Sequence, residues 1–170
     1  MTVARATAIV CLLLMAACNP ADRRPGVWLT GEVVAYPASW AFTDAFKEIA
    51  IEVNTPYFVP HSVTIWCGSM DGVLYVGARD PQSKNWPGWV DDEPNVRLGI
   101  DGKIYEVTLV PLSPAITEDA AELARLAPYY ARKYALSSQT PAQPPAQGEP
   151  TTRYWRVAPR SWQRKDAQRE

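Results

Sequence analysis

Two Asp-Gly pairs, Asp71-Gly72 and Asp101-Gly102, each stand between two β-rich runs. A two-residue type I′ turn needs positive φ at both central positions. Asp-Gly accepts this at little cost, so each pair predicts a β-hairpin. The first hairpin joins residues 63–70 to 73–79, and the second joins 95–100 to 103–110. A chain with two hairpins in tandem inside residues 49–112 is committed to a mainly β fold, and the other segments are left to close it.

Two-residue turns also set the register. In the second hairpin Ile100 faces Lys103, Leu98 faces Tyr105, Arg97 faces Glu106 and Val96 faces Val107. With a side-chain period of two, Val96, Leu98, Ile100, Tyr105, Val107 and Leu109 share one face, which is the buried one. Arg97 and Glu106 form a cross-strand pair of opposite charge on the other face. In the first hairpin Val63, Ile65, Cys67, Leu74, Val76 and Ala78 are read as core. The opposite face carries Thr64, Trp66, Tyr75, Gly77 and Arg79, a mixed surface suited to a ligand groove or to solvent.

Roughly 150 residues follow the leader described below, enough for one domain that buries about 70% of its unfolded-chain surface. The formal net charge is −1, so no general attraction to nucleic acid follows. Cys11 and Cys18 lie in or at the end of the leader, leaving Cys67 as the one ordinary thiol. No internal disulfide and no Cys/His metal spacing is available. Asp91, Asp92 and Glu93 read as a solvated helix end, not a metal site.

Residues 1–17 have the pattern of a secretory signal, with Arg5 ahead of an apolar run too short to span a bilayer. The run ends in Leu14-Met15-Ala16-Ala17-Cys18. This resembles the lipobox of bacterial lipoproteins, which implies lipidation of Cys18 and a place in the cell envelope, on the periplasmic or outer-surface side. Residues 18–26 read as a tether, and 27–34 as a first strand. Ser39 is expected to cap a short helix over 40–47, and 49–54 to form another strand. Residues 80–94 form a long connection, helical in part, under which Trp86 and Trp89 pack. Thr117 starts a helix with a capping hydroxyl and acids in its first turn. Leu123, Leu126, Tyr130 and Tyr134 make its apolar stripe, with a kink expected at Pro128. Residues 137–150 read as a Pro-rich linker, 151–162 as a closing strand, and 163–170 as a charged tail.

This order of strand, Pro/His turn, hairpin, basic loop, hairpin, helix and last strand resembles the pyridoxamine 5′-phosphate oxidase-like, FMN-binding split β-barrel superfamily. The matching runs are Ile49-Ala-Ile-Glu-Val-Asn-Thr55, Pro60-His-Ser-Val-Thr-Ile-Trp66, Gly72-Val-Leu-Tyr-Val-Gly-Ala-Arg79, Ser83-Lys84 and Asp92-Glu-Pro-Asn-Val-Arg-Leu98. They span residues 49–136, about half the chain. The resemblance implies a domain over 27–136 that is an antiparallel split β-barrel with a short N-terminal helix and a C-terminal helix. It also implies a two-fold homodimer with a cofactor groove between subunits. Trp66, Tyr75, Trp86 and Trp89 are the aromatics expected at that interface. In relatives that bind FMN or a deazaflavin, the phosphate is held at positions matching Arg79, Ser83 and Lys84. The strand carrying His61 and Trp66 lies against the isoalloxazine ring. Guanidinium and ammonium groups suit phosphate oxygens. Where many relatives carry Thr or Ser late in the fourth strand, this chain has Val76 and Gly77, and a single Lys follows Ser83.

Two classes of function follow. One is a membrane-anchored flavin or deazaflavin protein, a reductase of unassigned substrate. The other is a cofactor-free barrel acting as a binding or structural module of the envelope.

Overall fold

The computed structural model describes residues 26–134 and 152–160. The signal segment, Cys18, the tether up to residue 25, the linker 137–150 and the tail 163–170 lie outside the described residues. The strands are β1 (Glu32–Val34), β2 (Glu48–Val53), β3 (His61–Met70), β4 (Val73–Arg79), β5 (Asn95–Ile100), β6 (Lys103–Pro111) and β7 (Thr152–Pro159). The helices are α1 (Trp86–Asp92) and α2 (Thr117–Lys133), with 3₁₀ turns at Ala41–Ala45 and Pro81–Ser83.

The sheet runs β1-β6-β5-β2-β3-β4-β7, and β7 pairs back onto β6. Six antiparallel strands therefore close into a barrel, as the fold class expected, while β1 lies parallel to the first half of β6. Closure removes the free edges that an open sheet would present. Both turns have the expected conformation, with positive φ at Asp71, Gly72, Asp101 and Gly102. The derived register holds: Met70 faces Val73, and Val96 faces Val107.

The inward faces form one core that includes Ile49, Ile51, Cys67, Leu74, Val76, Leu98, Val107 and Trp155. Trp40, 1% exposed, plugs this core, with its ring against Tyr36, Phe42 and Tyr105. Trp86 packs on Trp155 from α1, so the loop tryptophan does fold under its own connection.

Several local expectations shift. Residues 27–31 are not a strand. They cross the outside of the barrel as a strap, and Gly31 passes so close to the Gly102 carbonyl that a Cβ there would collide with it. Ser39 Oγ accepts the Ala41 N–H at 3.3 Å, but the segment it starts is a single 3₁₀ turn. Ile116, not Thr117, occupies the N-cap of α2. Pro128 does not break α2. It is exposed, so the Ala124 carbonyl it orphans meets water, while Leu126 and Tyr130 keep the buried face.

The expected Arg97 to Glu106 ion pair is also replaced. The two residues do sit opposite each other. However, β2 flanks β5 on its other side and sets Glu52 opposite Arg97. Arg97 Nη1 lies 2.8 Å from Glu52 Oε1 and 3.0 Å from Oε2. Glu52 is the more deeply buried acid and gains more from a cation, whereas Glu106 meets Arg160 at 3.4 Å.

Candidate functional site

Four places bear on function. The first is the outer face of β3 and β4, expected to line a groove. It is covered by α2. Tyr75, Leu112, Leu126, Tyr130 and Tyr154 form a second core there, with Trp66, Tyr129 and Tyr134 packed against it. Trp66 stacks on Tyr134 with ring centroids 4.4 Å apart and planes 12° apart. Gly68 makes room for this packing, because a Cβ there would run into the Tyr129 ring.

Sequence also explains why tyrosines, and not leucines, stand at this end of the stripe. β2 ends opposite Trp66. The backbone of β3 beyond that point needs other partners. The Tyr134 hydroxyl accepts the Cys67 N–H at 2.9 Å and has the Cys67 and Lys47 carbonyls at 2.7 and 2.6 Å to donate to. The Tyr129 hydroxyl accepts the Ser69 N–H at 3.3 Å and lies 2.6 Å from Asp44 Oδ1. Tyr130 donates to the Tyr75 carbonyl at 2.9 Å. Two phenols, Tyr129 and Tyr134, thus stand in for a missing strand beside β3, while Tyr130 ties α2 to β4.

Those phenols make the helix sensitive to alkali. Burial, then the bond to Asp44, pushes Tyr129 up to about 12 from an ordinary value of 10.0. Burial raises Tyr134 and carries Tyr130 well above its ordinary value. A folded-state value above the unfolded one gives stability that is complete below pH 10.0 and lost as pH rises toward about 12. The expected result is one steep transition in that window, with tyrosinate absorbance rising as helical circular dichroism falls. Gradual titration near pH 10.0 with the helix intact would mean these hydroxyls are not buried partners.

The second place is the loop after β4, which gathers Arg79, Ser83 and Lys84. Lys84 Nζ donates to the Arg79 carbonyl and lies 3.5 Å from both the Asp80 carbonyl and Ser83 Oγ. Ser83 Oγ donates to the Asp80 carbonyl at 2.7 Å, and Arg79 Nε lies 3.7 Å from Asp80 Oδ2. Asp80 itself is in the left-handed region, at φ 48°. Ser83 and Lys84 staple this tight turn with donors that a phosphate would need, while the half-exposed Arg79 guanidinium makes a loose contact with Asp80.

His61 is elsewhere, exposed at the start of β3, its ring edge-on to Trp89 at 5.4 Å. The structure therefore brings Arg79, Ser83 and Lys84 together but sets His61 against α1 and Trp66 against α2. The Trp66 end of the expected ring seat lies under Tyr134, while His61 stays exposed, and Ser83 and Lys84 bond within their own loop. Cys67 is buried, as expected, and burial pushes its thiol up.

The third place was not anticipated. β2 pairs with β5 only through Ala50, Ile51 and Glu52, so the two strands part at Glu48 and Ile49. An open groove of about 860 Å³ lies on the outside there. Ala50, Thr64 and Gly99 line it beside Phe46 and Glu48, the turn residues Asp101 to Lys103, and the strap residues Leu29 and Thr30. Its volume falls within the roughly 300–1,000 Å³ typical of ligand clefts. The lining has two acids, Glu48 and Asp101, one base, Lys103, and no His, Cys or Ser. Its hydroxyls are those of Thr30 and Thr64, and it can hold a mixed polar and apolar group. A smaller hollow of about 150 Å³, lined by Asn54, Thr55, Pro56, Trp89, Asp92 and Glu93, is also acidic.

The fourth is Glu52 itself, 6% exposed beneath the strap, where it accepts the Leu29 N–H as well as Arg97. The sequence signal for it was an acid in a β run. Only the β2 to β5 pairing reveals its partner. Among the described residues no group of three or more His, Cys, Asp or Glu could hold a metal ion, and no helix is long and apolar enough to cross a membrane. No protein-family model matches the chain, and no curated protein matches it.

Proposed function

We propose that the protein is a cofactor-free split-barrel module, held at the bacterial cell envelope through a lipid on Cys18, which works by binding rather than by catalysis. The observation that carries this reading is the filling of the outer face of β3 and β4 by the α2 tyrosines. Arg79, Ser83 and Lys84 line neither the groove nor the smaller hollow, and the acids on both oppose a phosphate. The open groove where β2 and β5 part is the surface best suited to a ligand. A flavin-binding reading is supported by the barrel and by the gathering of Arg79, Ser83 and Lys84 on one loop. It requires those donors to leave their own turn. The absorbance spectrum of natively purified protein tests the choice: no flavin band is expected, and a stoichiometric one would reverse it.

A further inference from the structure

At one end of the barrel the strap meets the loop before β3. The Ser62 N–H donates to the Gly26 carbonyl at 2.8 Å, and Ser62 Oγ donates to the Val27 carbonyl at 3.1 Å. This sets the first described residues beside loop 55–60. Val27, Trp28, Tyr57, Phe58 and Val59 are all exposed on these two segments. Neither 26–31 nor 55–60 contains an Asp, Glu, Lys or Arg.

Phe58 is the sharpest feature. It is 95% exposed, and its φ is 63°. A bulky residue in the left-handed region is an outlier with a steric penalty. The loop holds it there. The Phe58 N–H donates to the Thr55 carbonyl at 3.2 Å, Thr55 Oγ1 donates to the Val59 carbonyl at 2.6 Å, and the Tyr57 ring sits edge-on to Trp89 at 5.9 Å. The ring thus carries both a backbone penalty and a solvation penalty, and it contributes no packing within the chain. Strain of this kind gathers at functional positions.

We propose that this end of the barrel rests on a lipid bilayer surface, with Trp28 and Phe58 entering the interface. The inference rests on the reading of Cys18 as a lipid anchor. Cys18 stands eight residues before Gly26, a span of at most about 29 Å when extended. A lipid there keeps the patch at the bilayer. Tryptophan and tyrosine favour the interface, and two segments without charged residues suit zwitterionic headgroups, with Asp92 and Glu93 at the rim in the hollow beside Thr55 and Pro56. A protein with acyl chains and an aromatic foot is held in one orientation, with the foot against the bilayer.

The test uses the chain from residue 18 with Cys18→Ser, so that no acyl chain contributes, and sedimentation with phosphatidylcholine vesicles. Wild type should sediment with millimolar lipid. Phe58→Asn and Trp28→Ser should each weaken partitioning about tenfold. Val110→Ser, at an exposed apolar position on β6, should leave it unchanged. Asn tolerates the left-handed region, so Phe58→Asn should melt no lower than wild type while binding vesicles less. A wild type that stays in the supernatant, or variants that partition equally, would overturn the proposal. Self-association without vesicles that Phe58→Asn abolishes would also overturn it, assigning the patch to a second copy. The mass of the natively purified N-terminus reads the Cys18 anchor separately, so failure of the anchor and failure of the patch are seen apart.

Discussion

Trp155→Ala should lower stability by about 4 kcal/mol and the melting temperature by roughly 10–15 °C. Trp155 is fully buried on β7, the strand that joins β4 to β6 and closes the barrel. Its ring fills the core against Trp86 at 5.1 Å, and the Arg153 guanidinium lies 4.8 Å from it. Arg153 also pairs with Asp91, tying β7 to α1. Removing the ring leaves a cavity where three elements meet. Trp155→Phe should cost far less, because the indole N–H is buried without a hydrogen-bond partner and its loss costs nothing. Urea denaturation of the two variants beside wild type checks this. Equal losses would mean that ring volume is not what β7 contributes.

The second large effect belongs to Glu52. Glu52→Ala should cost about 3 kcal/mol. It strands the partly buried Arg97 guanidinium, with a side chain 26% exposed, and orphans the Leu29 N–H, which then releases the strap. Arg97→Ala should cost a similar amount, since it leaves the buried carboxylate without its cation, held by the Leu29 N–H. The double variant Glu52→Leu, Arg97→Leu should recover the part of the loss that comes from an unpaired charge, while the Leu29 N–H stays without its acceptor. A double-mutant cycle of Glu52→Ala, Arg97→Ala and the two together, read by denaturant unfolding, gives the coupling directly. Simple addition of the two single losses would show that the pair is a surface contact of little weight.

The sequence disclosed what neighbouring residues decide. Asp71-Gly72 and Asp101-Gly102 fix the register of their own hairpins, so the inward set from Val96 to Leu109 was legible without coordinates. Barrel closure, strap and helix docking depend on partners far along the chain. Arg97 had two acids within reach, and choosing Glu52 over Glu106 requires knowing that β2 flanks β5. The stripe of Leu123, Leu126, Tyr130 and Tyr134 announced an apolar helix face but not the surface it would meet. That surface was the outer face of the first hairpin, so Trp66 became a partner of Tyr134 and Tyr75 was buried with it. Trp86 went under its own loop in the same way. The four aromatics expected at a dimer interface are packed within the chain, Trp66 and Tyr75 under α2 and Trp86 and Trp89 against the barrel core. The groove beside Glu48 was illegible for a related reason. It exists because two strands part, and no single residue marks a parting.

The proposal of a cofactor-free barrel rests on Trp66 lying under Tyr134 and on Ser83 and Lys84 bonding within their own loop. Thermal unfolding of the purified protein in rising FMN tests it most directly. A ligand that binds only the folded state raises its stability by about 2.7 kcal/mol at one hundred times its dissociation constant. The melting temperature should not move up to millimolar FMN, in wild type and in Lys84→Ala alike. A saturating rise of several degrees in wild type that Lys84→Ala abolishes would contradict it and return the loop of Arg79, Ser83 and Lys84 to the role of a phosphate clamp.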